Sequence, residues 1–283
     1  MSGSQAARAT IALRDGERVA RLGQGTWRMG ERASAAKDEI AAIRRGIELG
    51  MTLIDTAEMY GDGGAERMLA QALSGLRDKV FLVSKVYPQN AGGAALGRAC
   101  ENSLKRLATD RLDLYLLHWR GSIALAQTIE GMTRLQAQGK IRHWGVSNFD
   151  VDDIDELWAA GGSGCVVNQI LYNLERRGPE FALLALMAQR QCLGMAYSPV
   201  EQGRLPTSGP LAEVARRHRA TIFQVALAWL LRRHDMIVIP KASSIAHVEA
   251  NRAALDLDLD ADDIAALERA FPPPKRKSPL AML

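Results

Sequence analysis

"LIDTAEMYG", residues 53–61, sets an apolar run directly against an aspartate and places a tyrosine five positions later, in a segment that closes on glycine. A buried strand has no reason to end in a charge unless that end faces something other than core. The same alternation runs along the whole chain, with short β-branched or leucine-rich runs between longer stretches of helical periodicity, the pattern of repeated βα units. Eight runs read as strands: "RLGQGT" (21–26), "TLIDTA" (52–57), "FLVSKV" (81–86), "LDLYLLHW" (112–119), "IRHWGVS" (141–147), "VVNQILY" (166–172), "LGMAYSPV" (193–200) and "MIVIPK" (236–241). Between them, Ile40, Ile43 and Ile47 mark one helix stripe ended by Gly50, and Leu96, Cys100, Leu104 and Leu107 mark another. Eight such units close naturally into an α/β fold, a (β/α)8 TIM barrel, whose strands are apolar on both faces and turn polar at their C-terminal ends. The opening "TIALRDGERVARLG", residues 10–23, holds an Asp-Gly turn between two alternating runs and predicts a β-hairpin ahead of the barrel.

Composition bounds the reading. The chain has 283 residues, 47% of them hydrophobic, enough for one large core. No Gly/Ser-rich or charged linker divides it, so residues 1–283 read as one barrel domain with a short, proline-rich, basic C-terminal tail. The N-terminal "MSGSQAARAT" lacks the apolar segment of a secretory signal, and no later run approaches the roughly 18 apolar residues of a membrane span, so the expected setting is the cytoplasm with no membrane partner. Cys100, Cys165 and Cys192 are odd in number, scattered and free of CxxC spacing, which makes them small core residues. A net charge of +4 suits an anionic ligand. The basic cluster "PPPKRKSP", residues 272–279, reads as a solvated tail and not as a nucleic-acid site, because no reader motif or aromatic interleaving accompanies it.

Asp55 thus stands at the C-terminal end of the second barrel strand, where barrel enzymes place their chemistry. Three residues share that edge: Tyr60 in the following loop, Lys85 closing "FLVSK", and His118 closing "LDLYLLH". Singly they read as a helix cap, a loop tyrosine, a snorkelling lysine and a core histidine. After consecutive strands and on one rim, they read as a catalytic constellation.

These residues also carry a resemblance. "GQGTW", "LIDTAEMYGDGGAE", "FLVSKVYP", "LDLYLLHW", "GKIRHWGVSNF", "NQILYN", "MAYSP" and "IPKASS" occur in the order and spacing of the aldo-keto reductases, and the chain resembles the small bacterial members described as methylglyoxal reductases over nearly its whole length. The resemblance implies an NADPH-dependent oxidoreductase that reduces small aldehydes, ketones or dicarbonyls to alcohols, with Asp55, Tyr60, Lys85 and His118 as the catalytic tetrad. It also implies a dinucleotide held without a Rossmann fold, and the sequence contains neither G-x-G-x-x-G nor a Walker A loop.

The chemistry follows from the residue types. Carbonyl reduction needs a hydride, which a protein cannot supply, and a proton on the developing alkoxide, which it can. Tyr60 is the natural acid, with an ordinary pKa of about 10. A lysine ammonium at about 4 Å, with an effective dielectric of about 20, favours the phenolate by roughly 4 kcal/mol, or about three pKa units, so Lys85 is expected to bring Tyr60 toward neutrality. Asp55 is expected to keep the lysine charged, and His118 to act as a neutral donor that points the carbonyl at Tyr60 and at the hydride.

By the same resemblance the cofactor follows the barrel edge. Ser147, Asn148 and Gln169 take the nicotinamide carboxamide, together with the Asp55 and Thr26 end of the site, and Tyr197 stacks on the ring. Ser198, Gly203, Arg204 and Leu205 form a turn whose amides and guanidinium meet the pyrophosphate. Lys241, Ser243 and Ser244, at a helix N-terminus, receive the adenosine 2'-phosphate, and Asn251 meets the adenine. Two positions depart from the family: His247 stands where many relatives have arginine, and Ala250 where an adenine-contacting acid is frequent. NADPH is therefore expected with NADH at lower affinity. The loop after strand seven is too short for a long lid. Trp27, Tyr87 and Trp119, beyond strand ends and beside His118, predict an aromatic mouth for a small carbonyl, with no steroid-sized pocket. No metal is expected, since His143, His218 and His234 lack HxH or HExxH spacing. The chain is expected to act as a monomer, other oligomers staying open. Two rival readings stand beside this one: a Schiff-base aldolase with Lys85 or Lys241 as nucleophile, and a cofactor-sensing subunit with little turnover.

Overall fold

The computed structural model describes residues 9–283. The reading of "MSGSQAARAT" as free of a secretory segment falls, but for its last two residues, outside them. Strands β1 (Thr10–Ala12) and β2 (Arg18–Ala20) form the expected antiparallel hairpin, with Ile11 opposite Val19. Its turn needs a glycine, because Gly16 has φ +91.

The barrel strands are β3 (Gln24–Gly25), β4 (Leu53–Asp55), β5 (Phe81–Val86), β6 (Leu112–Leu117), β7 (Ile141–Ser147), β8 (Cys165–Leu171), β9 (Leu193–Tyr197) and β10 (Met236–Val238). They lie side by side in chain order, each parallel to the next. The circle closes through the segment around β3: Val238 N donates to Arg21 O at 2.7 Å, Gly23 N to Val238 O at 2.9 Å, and Gly25 N to Pro240 O at 3.0 Å. All eight expected strands are present. The seventh ends three residues early, at Tyr197, because Ser198 adopts φ 45 and Pro199 has no N–H to continue a ladder.

Helices α1 (Ala36–Glu48), α2 (Gly64–Ala72), α3 (Gly93–Leu107), α4 (Leu125–Ala137), α5 (Val151–Ala159), α6 (Leu183–Gln189), α7 (Pro210–Arg217), α8 (Ile222–Leu231) and α9 (Ile245–Ala253) surround the strands, and α10 (Ala261–Ala270) packs on α7. Helices α5, α8 and α10 open on capping boxes at Asp150, Thr221 and Asp260, which satisfy N–H groups that the helix itself cannot. Both expected stripes face inward: Ile43 and Ile47 are buried on α1, and Leu96, Cys100, Leu104 and Leu107 on α3. Among the described residues no helix is long and apolar enough to cross a membrane.

The apolar interior is two concentric layers. Between helices and strands lies the larger, which includes Leu69, Tyr115, Trp144 and Leu227. Inside the barrel, Leu53, Val83, Leu114, Leu116, Val167, Met195 and Ile237 meet Ile11, Leu13 and Val19 of the hairpin. The hairpin therefore plugs the N-terminal end of the barrel. Polar pins hold it there: Glu17 lies 2.8 Å from His143 Nε2 and 2.8 Å from Arg142 NH1 on β7. With that end stopped, the opposite end is left to hold a ligand.

Candidate active site

The strand registry brings the four rim residues together. Asp55 closes β4 and Lys85 is the penultimate residue of β5, so the two side chains rise from neighbouring strands, while His118 follows β6 directly. Tyr60 arrives from a tight turn in which Gly61, Asp62 and Gly63 all have positive φ (58, 51 and 75) before α2 begins. All four are buried. Lys85 Nζ donates to Asp55 Oδ2 at 2.9 Å, to the Thr56 carbonyl at 2.7 Å and to the Tyr60 hydroxyl oxygen at 2.9 Å. Three N–H donors meet three acceptors, the complement of an ammonium.

Burial sets the titration of this cluster. It raises Asp55 and lowers Lys85, each against the attraction of the other. It also raises Tyr60 well above the ordinary tyrosine value, with the Asp55 charge adding to the rise. The sequence reading expected Lys85 to bring Tyr60 down. That expectation counted one charge pair and not the desolvation of a phenol sealed from water, which is the larger effect here. Tyr60 is thus firmly protonated. His118 is lowered to about 2, first by burial and then by Lys85, so its ring is neutral at any working pH, as expected.

Around the tetrad the rings form an arc. Trp27 meets the Tyr60 ring edge-on at 4.9 Å, Tyr60 meets His118 at 5.9 Å, His118 meets Trp119 at 4.9 Å, and Trp119 meets Tyr87 at 5.9 Å. The three residues expected at the mouth therefore line one wall with the tetrad's tyrosine and histidine. Trp27 is exposed, while Tyr87 and Trp119 are half-buried.

The opposite wall joins directly to Asp55. Gln169 of β8 donates to Asp55 Oδ1 at 2.7 Å, and its backbone carbonyl accepts from Ser147 Oγ at 3.0 Å. Asn148, left-handed at φ 59, donates to the His118 carbonyl and to Ser147 Oγ and accepts from the Tyr197 hydroxyl at 2.9 Å. Thr26 donates twice to the Asp55 carbonyl, through N–H and hydroxyl. So Thr26, Ser147, Asn148, Gln169 and Tyr197 form one network with the tetrad. Beyond it, Ser198, Gly203, Arg204 and Leu205 lie in a turn after β9. Lys241 is exposed, with Nζ 3.3 Å from Ser243 Oγ, and Ser244 caps α9 by accepting from His247 N. Asn251 lies on the same helix, two turns on.

Some participants escaped the sequence reading. The Thr56 carbonyl completes the Lys85 shell, and no side-chain pattern signals a carbonyl. Glu58 accepts from Tyr87 N at 2.7 Å and fastens the two rim loops together. Buried Glu66 holds Ser84 at 2.7 Å and Arg106 at 2.6 Å, behind the strand that carries Lys85. The tail is more than solvated. Its basic residues are exposed, yet Lys277 pairs with Asp152 at 3.3 Å, Leu280 packs on the core, and the Leu283 backbone lies close enough to the Tyr197 hydroxyl to bear on its titration. The chain end therefore returns to the rim of the site.

A closed barrel with a buried Asp-Lys-Tyr-His cluster at its C-terminal end defines a class. The aldo/keto reductase family model matches residues 21–271, and the chain belongs to that family. It is 54% identical to methylglyoxal reductase YeaE of Escherichia coli (strain K12) over 268 residues, covering 93% of this chain and 94% of that protein. An aldo/keto reductase of Klebsiella pneumoniae, solved with NADP and acetate, superposes with a TM-score of 0.95 at 50% identity over 97% of this chain and 99% of its own. An aldo-keto reductase structure from the same organism, with NADPH, gives a TM-score of 0.94 at 50% identity, again over 97% and 99%.

Proposed function

We propose that this enzyme reduces small aldehydes, ketones and dicarbonyls, methylglyoxal foremost, with NADPH. The observation that carries the reading is Lys85, whose buried Nζ contacts Asp55 and Tyr60 at 2.9 Å each. Because the Tyr60 oxygen accepts from Lys85, its own proton is free to be given to a carbonyl oxygen. As that oxygen takes up charge it draws the proton, and the ammonium beside it stabilises the phenolate left behind. His118, neutral and fixed between the rings of Tyr60 and Trp119, is proposed to orient the carbonyl. Asp55, held by Lys85 and Gln169, is proposed to keep the ammonium charged.

The residues present suit a phosphate-bearing dinucleotide. A turn with left-handed backbone at Ser198, Glu201, Gln202 and Gly203 is followed by exposed Arg204, and exposed Lys241 stands beside two hydroxyls at the start of α9. The proposed holders are Ser147, Asn148 and Gln169 for the carboxamide, and the Tyr197 ring face with Thr26 beside it for the nicotinamide. Ser198, Gly203, Arg204 and Leu205 are proposed for the pyrophosphate, Lys241, Ser243 and Ser244 for the 2'-phosphate, and Asn251 for the adenine. NADPH bound there supplies the hydride. Trp27, Tyr87 and Trp119 bound a mouth suited to a small, flat substrate. We further propose one barrel domain, acting as a monomer in the cytoplasm.

The test is NADPH oxidation against a panel of aldehydes, ketones and dicarbonyls. Turnover highest with small dicarbonyls is expected, and no turnover with any member would overturn the reading. The aldolase rival meets a lysine whose nitrogen already has three partners, so borohydride in the presence of substrate should leave no adduct on Lys85.

A further inference from the structure

Glu201 is a buried carboxylate at the mouth of the barrel that the chemistry above does not use. Its Oε2 accepts from Asn173 Nδ2 at 2.8 Å, and its Oε1 accepts from Arg176 NH2 at 2.9 Å and from Arg204 NH2 at 3.3 Å. Asn173 also donates to the Ser198 carbonyl at 2.9 Å, and its side-chain oxygen accepts from the backbone N–H groups of Glu175 and Arg176. The loop after β8 and the turn after β9 therefore meet at one carboxylate. Burial alone would raise its pKa, yet the bonds from Arg176 and Asn173 and the nearby guanidinium charges hold it below the usual carboxylate value.

The turn it anchors is an uncomfortable one. Ser198, Glu201 and Gln202 have φ of 45, 47 and 53, none of them is glycine, and such backbone persists only where its surroundings over-determine it. The Glu201 contacts supply that determination. They also leave Arg204 tethered at one end and exposed at the other, with Arg176 beside it. With Glu175 also acting on Arg176, the cation left to face an anion is the exposed end of Arg204, which the Glu201 contact pre-sets.

We propose that Glu201 is a positioning residue for the cofactor: it locks the Ser198–Leu205 turn and aims Arg204, so that a carboxylate raises affinity for an anionic ligand. The inference rests on the reading of this turn as the pyrophosphate site. A carboxylate that merely sat near the phosphates would act with the opposite sign, by repulsion.

The experiment measures Kd for NADPH and for adenosine 2'-monophosphate, which lacks the pyrophosphate, in wild type and Glu201→Gln. Expected is a rise of about tenfold in Kd and KM for NADPH, the loss of one well-aimed charged contact. Kd for the monophosphate and kcat at saturating NADPH should hold within about twofold. An unchanged or tighter NADPH Kd, or a parallel loss of monophosphate binding, overturns the inference. If Glu201→Gln does not fold, Arg176→Gln on the exposed side reads the same clamp: a rise of about threefold in the NADPH Kd alone supports it, and no change overturns it. Wild-type protein that binds the monophosphate but not NADPH would overturn the cofactor reading and this inference together, a result distinct from a silent Glu201 variant in a binding-competent enzyme.

Discussion

Lys85 donates to the Tyr60 hydroxyl oxygen at 2.9 Å, inside a cluster where the phenol's own proton is held well above its ordinary pKa. The lysine is saturated with acceptors, and the tyrosine oxygen is occupied as an acceptor but not as a donor. In the proposed reduction, the transfer would wait for a substrate oxygen that develops charge.

Tyr60→Phe keeps the ring that packs against Trp27 and His118 and deletes only the transferable proton. Folding and cofactor Kd should be unchanged, and carbonyl reduction should fall by about 10² to 10⁴-fold. Near-native turnover would remove Tyr60 from the acid's role.

Lys85→Met should cost more activity than Asp55→Asn. The first change removes the cation at 2.9 Å from Tyr60, whereas the single asparagine oxygen can still accept from Lys85, at the expense of the Gln169 bond made by the other carboxylate oxygen. Burial already lowers the Lys85 pKa, so losing the Asp55 charge should lower it further and move the alkaline limb of the kcat profile of Asp55→Asn to lower pH. Profiles matching wild type in both variants would refute the charge-keeping role.

His118 makes stability depend on pH. Its folded pKa is about 2, against an ordinary 6.5, so the unfolded chain binds a proton that the folded one refuses. The contribution is fully present above pH 6.5 and is lost as pH falls below it, about 2 kcal/mol by pH 5. Urea unfolding at pH 7.5 and pH 5 should show that His118→Gln loses about 2 kcal/mol less than wild type. Equal losses would mean that the folded ring takes up the proton.

Lys241 should decide the choice of dinucleotide. It is exposed beside Ser243, whereas Arg252 on that helix is committed to the Leu49 carbonyl and to Asp256 at 2.8 Å, and nearby Arg45 to Glu249 at 2.9 Å. NADPH should bind roughly 10 to 150-fold better than NADH, and Lys241→Ala should bring the two close to parity by weakening NADPH alone. An unchanged Kd ratio would show the phosphate to be read elsewhere.

By itself the sequence determined the barrel and the rim. Eight apolar runs at βα spacing need burial on both faces, and a charge closing such a run can only stand at a strand end, which fixed Asp55, Lys85 and His118 on one edge. Distance and desolvation belong to the tertiary structure. Gln169 bonds Asp55 across 114 residues, the chain end at Leu283 returns to the neighbourhood of Tyr197, and Glu201 ties the loop after β8 to the turn after β9, none of which a local pattern encodes. The direction of the Tyr60 shift was settled there too. A residue's type and its nearest charge can be read from the chain, but the water it loses depends on everything that packs around it.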